Sequence, residues 1–252
     1  MIYLTGDTHT EWMTRLSFQA FPEGRELTKD DFVIVLGDFG IWKDTKGERY
    51  QLGWLDERPF TTLFLDGNHE NFDRLYSDEF PLVPFHGGFA QRIRPSVYHL
   101  LRGEAYTLEG HTFYAFGGAS SHDISDGILQ VGDPRIKLWQ RDRAWGGKFW
   151  LFRVEHESWW KEELPSEDEI AHGRDTLDRL GWRADYILSH CAPIEVHRML
   201  DPKWTKTDRL MDFLQEVYEK ASFGHWFFGH YHTEMNVTEK MHVIYRQIFR
   251  LC

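Results

Sequence analysis

Five short clusters of metal-seeking side chains punctuate the chain: Asp7-x-His9, Gly37-Asp38, Gly67-Asn68-His69-Glu70, His190 and Gly229-His230-x-His232. Asp7 and Asp38 offer carboxylates, Asn68 an amide oxygen, and His9, His69, His190, His230 and His232 imidazoles. Hard oxygen mixed with borderline nitrogen suits a divalent transition metal such as Mn, Fe or Zn. No cysteine stands among these donors, which argues against a structural zinc knot. On an extended segment, side chains two apart share a face, so Asp7 with His9, or His230 with His232, can present two ligands together. In a turn the second pair diverges towards different ions. The glycines beside these residues let the backbone turn sharply and aim the next side chain.

Each cluster follows an apolar run. Residues 2–5, 32–36, 62–65 and 186–188 are short, rich in β-branched and aromatic side chains, and closed by polar residues, the pattern of buried strands. Helix-like stretches at 49–57 and 72–76 lie between them, and such alternation predicts an α/β fold whose ligands bind beyond the carboxyl ends of the strands. From 97 to 116 the pattern becomes antiparallel, with turns at Gly103 and Gly110, and 234–250 alternates similarly; both suggest a second sheet packed on the first. A helix over 167–180 is marked by the Ser166/Glu169 capping box and stopped at Gly181. Another over 208–220 places Leu210, Phe213, Leu214 and Val217 on one face. The segment from about 120 to 164, rich in Arg and Trp, reads as an insertion over one edge of the site within a single domain spanning 1–252.

The ordered set D-x-H, G-D, G-N-H-E, H, G-H-x-H resembles the calcineurin-like metallophosphoesterase family over residues 7–232, nearly the whole chain. The resemblance implies two mixed β-sheets packed as a sandwich and flanked by helices, four layers in all, with a dinuclear metal site at its edge. It implies that one ion takes Asp7, His9 and His232, that the other takes Asn68, His190 and His230, and that Asp38 bridges them. His69 is then the catalytic histidine that binds no metal. Two cations of this kind, Mn first among them, would activate a bridging hydroxide for in-line attack on a phosphate ester. His69 would protonate the leaving oxygen or stabilise charge on the phosphate. The second block departs from the protein Ser/Thr phosphatases of the family: the acid that would orient the histidine falls at Ile41, and the phosphate-gripping arginine at Trp42. A protein phosphatase is therefore disfavoured. The orientation of His69 is left to Glu70 or Asp44, its neighbours in sequence.

Other readings stand beside these. Glu70, His122 and Asp123 are candidates to touch substrate or support the ligands, although 117–123 also reads as a loop with an Asp-stabilised turn. The Arg/Trp segment could grip phosphate and stack on bases, but buried Trp and solvated Arg are the plainer expectation. Cys191 follows His190 on a strand and so faces the other way, as a buried structural thiol. The net charge of −11 disfavours broad nucleic-acid binding, although two divalent cations would offset four of those charges at one point. The expected partner is a small phosphorylated substrate, with a nuclease or other phosphodiesterase as the rival enzyme and a non-catalytic, metal-stabilised interaction module as the rival of another class. Two cysteines, Cys191 and Cys252, form no disulfide framework; with no leader-like start and no apolar run of about 18 residues, they point to a cytoplasmic protein apart from membranes.

Overall fold

Apolar strands buried on both faces need a layer on each side, and the computed structural model, which describes residues 1–203 and 205–252, supplies them. Strands β1 (Ile2–Thr5), β2 (Phe32–Val35), β3 (Thr61–Phe64), β4 (Leu82–Phe85), β5 (Gly88–Arg94) and β6 (Val97–Leu100) enter a first sheet. Strands β7 (Glu104–Leu108) and β8 (His111–Phe116) begin a second, while β9 (Gly127–Leu129) and β10 (Phe152–Val154) pair with each other alone. Strands β11 (Arg183–Ser189), β12 (Ser222–Phe228), β13 (Met235–Asn236) and β14 (Met241–Val243) complete the second sheet, and β15 (Phe249–Arg250) returns to the first. The first sheet has the order β15-β1-β2-β3-β6-β5-β4, parallel from β1 through β6 with antiparallel strands outside. The second has the order β13-β14-β12-β11-β8-β7, with a parallel centre and antiparallel edges.

Side-chain alternation along these strands builds three apolar zones. Ile2, Leu4, Ile34, Leu63, Phe113, Leu188 and Phe227 meet between the two sheets. Their neighbours Tyr3, Val33, Val35 and Phe64 face the other way, onto α1 (Trp12–Arg15), α2 (Lys46–Asp56) and α3 (Phe72–Leu75). On the far side of the second sheet, Tyr114, Phe116, Ile187, Trp226 and Phe228 pack against α5 (Glu167–Arg179), α6 (Ile194–Leu200) and α7 (Arg209–Lys220). The result is the expected helix–sheet–sheet–helix sandwich. The capping box forms at Ser166 and Glu169, and α7 buries the foreseen face. Helix α2 starts three residues earlier than expected because Thr45 caps it, accepting from the Glu48 N–H.

Two expectations need correction. Strand β6 belongs to the first sheet, parallel to β3, so the run from 97 to 116 divides between the sheets. Strand β15, at the end of the 234–250 run, likewise joins the first sheet, antiparallel to β1. Strand β4 is short, carries Pro84 and buries none of its residues, and in β5 the exposed and buried positions shift across a bulge between Arg92 and Arg94, so neither reads as a strand in the sequence. The Arg/Trp segment carries α4 (Pro134–Ala144), a helix with no buried residue, between β9 and β10. Its tryptophans divide: Trp139 and Trp150 stack on each other, Trp160 joins the first core against Trp42, and Trp145 is 85% exposed. Among the described residues, no helix is long and apolar enough to cross a membrane.

One buried charge pair ties the sheets together at the mouth of the site. Asp66, just beyond β3 and inaccessible to water, accepts from Arg102 Nε at 2.9 Å, from Arg102 Nη2, and pairs with His99 Nε2 at 3.1 Å. Its carbonyl accepts from Gly118 N–H beyond β8. Burial alone would raise the Asp66 pKa, but the Arg102 guanidinium and the His99 contact hold it at about 2. Arg102→Met should therefore leave an unpaired buried carboxylate and cost about 3–5 kcal/mol in urea unfolding. Replacing Asp66 and Arg102 together by apolar residues should cost less than that single change; equal or greater loss in the double variant would contradict this account.

Candidate metal centre

The clusters converge because the parallel strands end on one edge. Asp7 follows β1, Asp38 follows β2, Asn68 and His69 follow β3, His190 follows β11, and His230 and His232 follow β12. One ligand atom each from Asp7, His9, Asp38 and His232 lies within 4.8 Å of the others. His190 joins them with Nε2 3.4 Å from Asp38 Oδ1, and the rings of His190 and His230 lie 5.1 Å apart. Asp7, Asp38, Asn68 and His190 are buried, whereas the His232 side chain is 51% exposed and leaves the cluster open on one side.

Backbone shape does the aiming. His9, Asp38, His230 and His232 hold left-handed φ values of 44°, 47°, 68° and 48°, a conformation costing on the order of 1 kcal/mol or more for a residue with a Cβ. Gly37 also has a positive φ, and a Cβ there would overlap the His190 ring. A Cβ on Gly67 would strike Asp38 Oδ1, and one on Gly229 would strike Asp7 Oδ1. These glycines are steric requirements of the cluster rather than mere hinges.

Partners behind the cluster fix each donor. His190 Nδ1 donates to the Leu36 carbonyl at 2.7 Å, which turns Nε2 towards Asp38. Asp38 Oδ1 accepts from His69 N–H at 2.8 Å, and Asp7 Oδ1 from His230 N–H at 3.0 Å. Buried Arg15 donates to the Gly6 carbonyl at 3.1 Å and reaches the Asp7 carbonyl at 3.3 Å, bracing the β1 loop. Among the described residues, buried Asn68 Oδ1 has no hydrogen-bond partner, while Asp7 Oδ2 and His190 Nε2 have only ion-pair contacts, with His232 Nε2 at 3.1 Å and Asp38 Oδ1 at 3.4 Å. The His9 and His232 Nε2 atoms face each other at 3.2 Å. Buried donors so incompletely satisfied are costly unless a cation collects them. The donor set fits divalent transition metals.

Electrostatics agree. Burial opposes ionisation of Asp38, but His190 beside it holds its carboxyl below the ordinary carboxylate range. Burial also opposes protonation of His190, yet Asp38 and Asp7 raise it to about 9. Burial, reinforced by the charge of His190, lowers His230 to about 3, so that this ring is a neutral ligand.

The remaining sequence-named residues divide. His69 stands edge-on to His9, ring centres 5.0 Å apart, and its Nε2 meets Arg153 Nη2 at 3.2 Å. Glu70 turns away: it is fully buried, and its carboxylate accepts from the backbone N–H groups of Phe39, Gly40 and Ile41. Glu70 thus shapes the Asp38 loop and touches neither His69 nor open space. Asp44 pairs with Arg49 and Arg74 at the surface and does not orient His69 either. His122 packs its ring 5.6 Å from that of His230. Asp123 grips Arg153 through both oxygens. Cys191 is buried, with its thiol pushed up to about 12 by that burial. Sequence reasoning missed Arg153, Arg15, and the Ser121–Glu163 pair behind Asn68, where Ser121 Oγ lies 3.4 Å from Asn68 Nδ2 and donates to Glu163 at 2.7 Å. Arg153 lay within the segment already noted for its arginines, but no local motif set it apart from the others.

The sequence model described as calcineurin-like phosphoesterase matches residues 1–234. The chain belongs to that family. Among curated proteins, Gene 66 protein of Mycobacterium phage L5 is 34% identical over 101 residues, covering 38% of this chain and 48% of that protein, so the match spans about half the length of this relative. Among solved structures, the phosphopantetheinyl hydrolase PptH from Mycobacterium tuberculosis is similar with a TM-score of 0.44 at 17% identity, over 97% of this chain and 87% of that one. Within the family pattern, the two departing positions have become core: Ile41 is buried, and Trp42 packs edge-on against Trp160.

The protonation of His190 carries a prediction. A metal ion must displace the proton on Nε2, so uptake should release protons and affinity should rise as pH rises towards about 9. Titrating the metal-free protein with Zn²⁺ in weak buffer with a pH indicator should show acidification at pH 7; uptake without proton release would contradict the assignment.

Proposed function

We propose that the chain hydrolyses a small phosphate ester with two divalent metal ions, one held by Asp7, His9 and His232, the other by Asn68, His190 and His230, with Asp38 shared. The supporting observation is the cluster in which Asp7, His9, Asp38 and His232 each bring a ligand atom within 4.8 Å of the others, with His190 Nε2 3.4 Å from Asp38 Oδ1. Such cations supply positive charge and Lewis acidity for transfer of a phosphoryl group to water. Manganese is the first choice among Mn, Fe and Zn for donors rich in oxygen and imidazole. A cytoplasmic setting agrees with the two unpaired cysteines.

The chain's own groups then have distinct tasks. Asp38 serves both ligand groups and, through Oδ1, fixes the backbone of His69. His190 keeps Nε2 forward by donating from Nδ1 backwards to Leu36. A guanidinium can only donate, so His69 meets Arg153 with the Nε2 lone pair and keeps its own proton on Nδ1. Burial lowers His69 to about 4, in keeping with a neutral ring. His69 Nε2 therefore donates to a leaving oxygen only once the Arg153 contact opens and Nε2 takes up a proton from water.

A second reading has one observation in its favour. Helix α4 and its flank carry Arg135, Arg141, Arg143 and Lys148 beside exposed Trp145, a basic and aromatic surface on an otherwise acidic chain. That surface suits a polyanionic diester. With added Mn²⁺, hydrolysis of p-nitrophenyl phosphate should exceed that of bis(p-nitrophenyl) phosphate; the reverse ranking would transfer the proposal to a phosphodiesterase. Asp38→Ala and His230→Ala should each lower kcat/KM by more than about 100-fold, beyond the 10–100-fold typical for partners one step removed from a metal ligand. Retention of most activity at unchanged metal content would remove the dinuclear reading.

A further inference from the structure

Arg153 sits in the middle of β10, outside both main sheets, yet its side chain reaches across to the loop after β3. Its Nε lies 2.8 Å from Asp123 Oδ1 and its Nη2 3.0 Å from Asp123 Oδ2, a fork that closes one edge of the guanidinium. Nη1 donates to the Ser158 carbonyl at 3.0 Å, and the second hydrogen of Nη2 points at His69 Nε2, 3.2 Å away. Four of the five N–H groups thus have partners. Asp123 and Ser158 belong to the same segment as Arg153, and their contacts suffice to hold the side chain in place. The His69 contact differs: it crosses 84 positions of sequence and faces a permanent cation towards a ring that also touches His9. The arginine side chain is only 9% exposed, so its charge is poorly screened there.

We propose that Arg153 is a phosphate-binding residue of this site. On substrate entry its Nη2–H exchanges His69 Nε2 for a phosphoryl oxygen, while Asp123 keeps the other edge of the fork clamped. A planar fork matches phosphate better than a point charge does. The exchange also has a consequence for chemistry, because it frees His69 Nε2 to take up a proton from water and then donate it to the leaving oxygen when a phosphate is present. The proposal rests on the phosphoesterase reading above, and it assigns a task to the segment that carries β9, α4 and β10.

The test uses the full-length, Mn-loaded protein and two readouts: calorimetric binding of inorganic phosphate, and KM against kcat on p-nitrophenyl phosphate. Arg153→Ala should weaken phosphate binding and raise KM by about tenfold or more, the scale of a hydrogen bond to a charged group, with metal content unchanged. Arg153→Lys should fall between the two, since an ammonium cannot fork between Asp123 and an oxygen. Added guanidinium ion, but not urea, should restore part of the phosphate affinity of Arg153→Ala, which a purely structural role would not allow. Phosphate binding within twofold of wild type in Arg153→Ala, at equal metal content, would overturn the proposal. Should that variant fail to fold, Asp123→Asn and Arg153→Lys decide: unchanged phosphate affinity in both overturns it equally. A wild-type protein that binds phosphate through Arg153 but hydrolyses no ester would sink the enzymatic reading and leave this one standing. Wild-type protein that binds no phosphate sinks both.

Discussion

Two carboxylates withdrawn from water, Asp7 and Asp38, share a space a few ångströms wide with the rings of His9, His190 and His232. In a low-dielectric interior such a grouping is unfavourable unless positive charge enters it, first as the proton on His190 and then as metal. Much of the surrounding architecture serves to hold this arrangement in place. The glycines at 37, 67 and 229 clear space for the ligand atoms, four ligand residues accept left-handed backbone, and Leu36 spends its carbonyl on His190. Strain at those positions persists because both sheets, packed from either side, overdetermine it.

The layering explains why the site lies where it does. Because β1, β2 and β3 run parallel in one sheet and β11 and β12 in the other, with the last residues of each strand buried, their carboxyl ends reach the same edge. The Asp66–Arg102 pair and the Asp66–Gly118 bond then join the two sheets at that edge. Glu70 closes the Asp38 loop from beneath by gathering three backbone N–H groups. Burial, first, and the nearby charge of Asp38 push its pKa well up, while those donors pull the other way. The residue following His69 is thus architectural.

How much of this was legible in the sequence depends on the range of the interaction. Strands β1, β2, β3 and β11 announced themselves because their apolar runs are continuous, and α5 because its capping box is local. The metal-seeking residues are readable because each sits two to four positions past such a run. Strand β5 is hidden by a bulge that breaks its alternation and β4 by its brevity and Pro84, while β6 falls in the other sheet because its choice of partner is a tertiary matter. Glu70 and Asp44 were put forward for His69 on nearness in sequence, whereas its actual neighbour, Arg153, is 84 residues away. Nothing in the composition of the Arg/Trp segment distinguishes the arginine at the site from those on the exposed helix α4.

The bond from His230 N–H to Asp7 spans 223 residues, and that from His190 to the Leu36 carbonyl spans 154. Contacts of such high contact order close late, after loop-closure entropy has been met for both sheets. During refolding, secondary structure and much of the hydrophobic collapse would precede any competent cage, so cation capture would lag behind them and act as a clock for the docking of one sheet on the other. An ion that prefers the closed cage over the open chain would also slow the reverse journey, making chelation a route to faster unraveling.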